Sequence, residues 1–229
     1  MSSPEEARRA LHWLNGIMIN HMVKLFPDID WNEWIVNTII LHRTLAAVET
    51  VTLETSATLH KGRRYYSIDE CGLDKPVKSL DGEVPLDASY AGYCIRTGNI
   101  VWVDDLESLQ NDDPLRDEYR SFGYVGVRTP SPPKAEYVFP IRLRIGLSEA
   151  IWGVLNCEWY GTQSGSPFMN RQAIVAGAIG RLLSVHARFL PAVIDPDESL
   201  SDGDSALHDK ALFRYYAETL ERLVPLLHA

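Results

Sequence analysis

Three features of the sequence predict an α+β fold. Apolar residues recur at helical spacing at both ends of the chain, residues 51–60 alternate with period two, and two long strand candidates, 137–145 and 151–160, are separated by five loop residues. Strands joined by short turns pair antiparallel, so a central antiparallel sheet is expected. The 229 residues are 45% hydrophobic and 23% charged, a balance that excludes disordered, collagen-like and disulfide-scaffold chains and favours one core with helical extensions.

Each element has its own signal. Ser3, Pro4 and Glu6 read as an N-cap, a first-turn proline and a capping-box acceptor, and Ala7, Leu11, Leu14, Met18 and Leu25 follow on one helical face. Phe26-Pro27 ends that helix. Asp30 and Glu33 offer a second cap before Trp34, Ile35, Thr38, Leu41, His42 and Leu45, so a second helix is expected to complete a helical hairpin. Trp31 and Trp34 then need a partner surface, in the following domain or in a second copy of the chain.

Over residues 51–60 the apolar side is Val51, Leu53, Ala57 and Leu59, and the polar side is Thr52, Glu54, Ser56, Thr58 and His60. Lys61-Gly62 supplies turn chemistry before a hairpin partner at 63–68. Residues 69–87 are polar loop. A short helix is expected at 88–96, closed by Thr97-Gly98, because glycine accepts the left-handed backbone that ends helices. A short strand follows at 100–103. Residues 106–136 are rich in charge, Gly and Pro, and a connection of that length is expected to serve as a lid. From Asn170 a helix carries Ile174, Ala178, Leu182, Val185 and Phe189 on its apolar face, and Pro191 stops it. The acidic run 191–204 reads as a linker to a last helix at 205–228. The division is therefore a helical extension at 1–29, a domain at 30–190, a linker at 191–204 and a C-terminal helix at 205–229.

Twenty-two Lys and Arg against thirty-one Asp and Glu leave a net charge of −9, which repels nucleic acid and acidic membrane surfaces. Cys71, Cys94 and Cys157 are odd in number and contain no CxxC pair, so neither a disulfide framework nor a thiolate zinc site is encoded. The charged start MSSPEEARRA is unlike a signal peptide, and no apolar run reaches the roughly 20 residues that span a bilayer. A cytoplasmic protein is expected. The seven histidines show no metal-ligand spacing, and there is no GxGxxG, Walker loop or nucleophile elbow, so no metal and no cofactor is expected.

The order of elements over residues 30–190 resembles the GAF domain, a small-molecule sensor module. The resemblance rests on Ala91-Gly92-Tyr93-Cys94-Ile95-Arg96-Thr97-Gly98-Asn99-Ile100-Val101-Trp102-Val103-Asp104-Asp105-Leu106, which is similar to that family's short helix, TG turn, strand and acidic corner. Tyr137-Val138-Phe139-Pro140-Ile141 looks like its strand ending in proline, Ile151-Trp152-Gly153-Val154-Leu155-Asn156 like its Gly-Val-Leu strand, and Phe168 precedes the last helix as in the family. The resemblance implies terminal helices on one face of the sheet and a ligand pocket with a loop lid on the other. GAF-type methionine sulfoxide reductases carry cysteines in the long loop, and residues 106–136 contain none. Asp69-Glu70-Cys71-Gly72 is similar to a bilin-attachment element but lacks its fourth residue, and the cyclic-nucleotide signature finds no place in this chain.

The polar rows Thr52, Glu54, Ser56, Thr58 and Asn156, Glu158 either face solvent or line a pocket. Burying them without partners costs roughly 1–3 kcal/mol each, so a polar ligand or ordered water is their natural counterpart inside a covered fold. Tyr124 and Arg128 in the lid, Trp102, Tyr137, Phe139 and Arg142 on strands, and Asp104 complete the candidate ligand-binding set with Glu54, Ser56, Asn156 and Glu158. Aromatic walls with cations suit a planar or anionic ligand. The chain is expected to be a non-catalytic sensor or regulatory protein acting through helical contacts in a homodimer, with output in a separate protein. The alternatives are a GAF-shaped interaction or dimerisation subunit without a ligand, and a methionine sulfoxide reductase.

Overall fold

The computed structural model describes residues 4–43, 51–60, 62–64, 84–85, 89–106, 133–145 and 148–190, with residues 218, 219 and 222. It is an α+β fold in which three helices pack against an antiparallel sheet built on four main strands. The strands are β1 (Trp34–Arg43), β2 (Val51–His60), β6 (Ala135–Ile145) and β7 (Ser148–Trp159), in the order β2-β1-β7-β6. Three short strands extend the edges. β3 (Arg63–Arg64) and β4 (Val84–Pro85) pair with β2, and β5 (Val101–Val103) pairs with β6.

Helix α1 (Pro4–Leu25) begins and ends where the first-turn proline and Phe26-Pro27 predict. It lies on one face of the sheet beside α3 (Gln172–Ala187), and Leu14, Ile17, Met18 and Met22 are fully buried there. The two helices are also tied by a buried polar contact, His186 Nε2 to Asn15 Oδ1 at 2.7 Å. Of the stripe expected on α3, Ala178 and Leu182 are buried and Val185 and Phe189 pack against the core, whereas Ile174 is 68% exposed. Val175, Ile179 and Leu183 are inside as well, so the buried face is wider than expected and turned away from Ile174.

The expected helix after Asp30 is instead a single 3-10 turn, Trp31–Glu33, followed by β1. Asp30 does cap, accepting from the Asn32 N–H at 3.0 Å, but the cap serves only that turn. β1 is central, with β2 on one side and β7 on the other. A strand covered on both faces shows a continuous apolar run rather than alternation, and 34–41 reads that way. The partner surface of Trp31 and Trp34 is the chain itself. Phe168 stacks 4.7 Å from Trp34 and 5.3 Å from Tyr137, and Trp102 lies 4.5 Å from Tyr137. These rings fill one end of the core on the α1/α3 side.

Helix α2 (Tyr90–Thr97) packs on the opposite face. Ser89 caps its start by accepting from the Gly92 N–H at 3.0 Å, and Gly98 closes it in the left-handed region at φ 74°, as the TG pair predicts. Ala91, Cys94 and Ile95 meet Ile39, Val101, Val103, Val138 and Val154 to form a second, smaller core. The sheet is thus covered on both faces. Residues 107–132 of the lid candidate at 106–136, most of the loop at 69–87, the whole linker at 191–204 and almost all of the last helix lie outside the described residues, as does Cys71.

Candidate functional site

Strand pairing decides which polar residues share a face. Thr38 and Ile39 on β1 pair with Ala57 and Thr55, which leaves Ser56 as the extra residue of a bulge in β2. Beyond the bulge, Glu54 pairs with Ile40, whereas Thr58 pairs with Asn37, its neighbour on the other face. The polar row expected along β2 is therefore split, with positions 54 and 58 on opposite faces of the sheet.

On β7 the alternation holds. Asn156 pairs with Asn37 and Val138, and Glu158 pairs with Ile35 and Glu136, all on the α2 face. Leu155, Cys157 and Trp159 alternate onto the α1/α3 face, in the main core. Two carboxyl groups, Glu136 and Glu158, are therefore direct cross-strand neighbours. Such neighbours have Cβ atoms about 4.5–5.5 Å apart, and like charges at that separation repel. Glu136 is only 5% exposed and Asn156 4%, while Glu158 is half-buried.

The hydrogen bonds distinguish the two carboxyls. Glu158 accepts from Asn156 Nδ2 at 3.0 Å through Oε1 and from the Tyr160 hydroxyl at 2.7 Å through Oε2. Glu136 Oε2 and Asn156 Oδ1 are buried and have no hydrogen-bond partner among the described residues. Burial, reinforced by Glu158 beside it, holds the Glu136 carboxyl well above the usual carboxylate range. Burial also raises Glu158, but its two donors pull it back. Both shifts favour the neutral form, and of the two carboxyls Glu158, with its two donors, is the one whose negative charge the site supports better. Trp34 Nε1 and Thr38 Oγ1 are likewise buried without a hydrogen-bond partner among the described residues, but on the α1/α3 face, opposite to the Glu136–Glu158 pair.

The remaining candidates fall into separate groups. Trp102, Tyr137 and Phe139 pack on the α1/α3 face with Phe168. Asp104 holds two of them in place, accepting from Trp102 Nε1 at 3.1 Å and from the Tyr137 hydroxyl at 2.8 Å. Arg142 is exposed. It donates to the Gly98 carbonyl at 2.6 Å and pairs with Glu149 at 3.5 Å, so it clamps the end of α2 to the β6–β7 hairpin. A cleft of about 770 Å³ opens beside it, between the C-terminal half of α3 and β6, with Ile100, Phe139, Arg142, Leu183 and Ser184 among its walls. Glu54 and Ser56 have been placed by register, and Tyr124 and Arg128 lie outside the described residues.

Glu136 and Tyr160 are site residues that the sequence reading missed. The signal for Glu136 was a lone carboxyl opening an otherwise apolar strand, two residues before Val138 on the same face. Burial pushes the Cys94 thiol up to about 12 and raises Cys157 further, so neither is a ready thiolate. Among the described residues, no group of three or more His, Cys, Asp or Glu side chains is placed to hold a metal ion, and no helix is long and apolar enough to cross a membrane. A search of protein-family models and a search of curated proteins find no match to this chain.

Proposed function

We propose that the chain is a non-catalytic ligand-binding module of sensor or regulatory type, with its site on the α2 face of the sheet around Glu136, Asn156 and Glu158. One observation carries this reading. Two buried side-chain oxygens, Glu136 Oε2 and Asn156 Oδ1, have no hydrogen-bond partner among the described residues, and they belong to the cross-strand neighbour and to a hydrogen-bond donor of the Glu158 carboxyl. Leaving such atoms unsatisfied costs roughly 1–3 kcal/mol each, a cost that a ligand bearing hydrogen-bond donors removes. The donor requirement replaces the anionic ligand expected from Arg128 and Arg142, because Arg142 is engaged at Gly98 and Glu149, at the C-terminal end of α2. The buried, weakly acidic Cys94 and Cys157 speak for binding over thiol redox chemistry. The GAF resemblance points to the same face.

The same strands supply a route from ligand to helices. β7 presents Asn156 and Glu158 to the site and Cys157 to α1, where its Sγ lies 3.9 Å from Met22 Sδ. A ligand that shifts β7 therefore moves a contact of the opposite layer. A homodimer with a separate output protein completes the proposal. Of the apolar surfaces that the sequence offers to a second copy, α1 from Leu11 to Leu25 and the Trp31/Trp34 pair are covered within the chain.

The test is a thermal-shift screen of small polar molecules against the parent and a Glu136→Leu/Asn156→Leu double variant, which replaces both unpartnered acceptors by apolar groups. Compounds that raise the parent's melting temperature should leave the double variant unmoved. Stabilisation of both proteins alike would place the ligand elsewhere and overturn the proposal.

A further inference from the structure

We propose, building on the binding reading above, that the Glu136–Glu158 pair receives a cationic group of the ligand, a primary ammonium or an amidinium, with Asn156 Oδ1 as the third acceptor. The acceptor inventory fits this chemistry. An ammonium carries three donors and no acceptor, and the site offers an unpartnered carboxyl oxygen, an unpartnered amide oxygen and a carboxylate. The orientation of the Asn156 amide is fixed by chemistry. Its NH₂ must face the Glu158 carboxylate, because the reversed amide would set two acceptors against each other. Asn156 Oδ1 thus sits within one amide width of the pair, on a residue only 4% exposed.

Charge selects among ligands. A carboxylate or phosphate would meet Glu158 and be repelled, whereas a cation between two facing carboxyls lets both ionise against the cross-strand repulsion that otherwise opposes it. A divalent metal would find two carboxyls and one amide oxygen, a poor set for an ion that takes six or more oxygen ligands.

Binding is coupled to a proton. The empty pair holds one proton, on Glu136, and carries one negative charge. When a cation enters, Glu136 releases that proton to solvent, and the doubly negative pair holds the singly positive ligand. Total charge is conserved across the step. Among the described residues, the titratable groups around the pair are few. Tyr160 donates to Glu158, and α2 contributes Tyr90, Tyr93 and Cys94 to this face. His60 is placed on this face by its register opposite Ile35. Arg142 stands at the far end of α2, and Lys134 turns to the other face, 6.0 Å over the Trp159 ring.

The experiment uses the full chain with ¹³C-labelled Glu carboxyls, titrated at neutral pH with methylammonium chloride, with acetamide as a neutral donor and with magnesium chloride. Methylammonium should shift the Glu136 and Glu158 carboxyl signals and the Asn156 side-chain amide saturably, and should acidify an unbuffered sample. Glu136→Gln should weaken that binding by roughly tenfold or more and abolish the acidification. If that variant loses its fold, Glu158→Gln carries the same expectation. Equal response to acetamide overturns the cationic inference while leaving the binding module intact, since the site would then read donors without charge. A stronger response to magnesium also overturns it, and so does silence toward all three probes. The thermal-shift screen judges the binding reading separately.

Discussion

Replacing Glu136 by Gln keeps the side chain's shape and removes its charge, so it isolates what burial of this carboxyl does to stability. Because the folded protein holds the Glu136 proton well above the ordinary value of 4.5, it binds more protons than the unfolded chain in the interval between the two pKa values. The stability from this group is fully present below the unfolded pKa. It is lost at about 1.4 kcal/mol per pH unit as pH rises toward the folded pKa. His186 acts with the opposite sign. Burial lowers its pKa from 6.5 to about 3, so its contribution is lost as pH falls below 6.5. Between pH 4.5 and 6.5 the two slopes oppose each other and the parent curve alone is uninformative. The difference between parent and variant at each pH cancels His186, whose ring lies in the other layer. Urea unfolding followed by tryptophan fluorescence over a pH series should show Glu136→Gln gaining on the parent by about 1.4 kcal/mol per unit above pH 4.5. Parallel curves for parent and variant would refute the buried, protonated assignment.

Cys94 and Cys157 should resist iodoacetamide in the folded protein and react after unfolding in urea, read by intact mass, since both are buried with raised pKa values. Gly153→Ala should cost roughly 1–3 kcal/mol by urea denaturation, because a Cβ there would meet the Ile39 carbonyl oxygen at 2.5 Å and the Ile40 Cα at 3.2 Å across the β1–β7 pairing. Asn15→Leu removes the 2.7 Å acceptor of the buried His186 ring and should lower unfolding free energy by roughly 1–3 kcal/mol.

Several elements were legible in the sequence because their signals are local. The TG turn closes α2 through a glycine at φ 74°, Pro4 and Phe26-Pro27 bracket α1, and the alternation in β7 puts Asn156 and Glu158 on one face as expected. Misreadings arose where long-range pairing decides. Residues 34–45 satisfy helical spacing, but Ile35, Val36, Thr38, Ile39 and Ile40 are β-branched, and cover on both faces erased the alternation that marks a strand. The bulge at Ser56 leaves no trace in composition, yet it reverses the facing of everything before it in β2. Trp102, Tyr137 and Phe139 were chosen for aromatic character, which does not distinguish a pocket wall from the core that they fill around Phe168. Glu136 faces Glu158 only through the one-residue shift at Ile141/Arg142, since the register beside the turn, continued without it, would set Glu136 opposite Cys157.

The central claim is that ligand meets protein at Glu136 Oε2 and Asn156 Oδ1, and a crystal structure of the protein with a stabilising compound from the thermal-shift screen tests it most directly. The account predicts ligand donors within hydrogen-bond distance of both atoms on the α2 face, with Tyr160 still on Glu158. A ligand seated instead in the cleft lined by Ile100, Phe139 and Leu183, with Glu136 and Asn156 untouched, would contradict it.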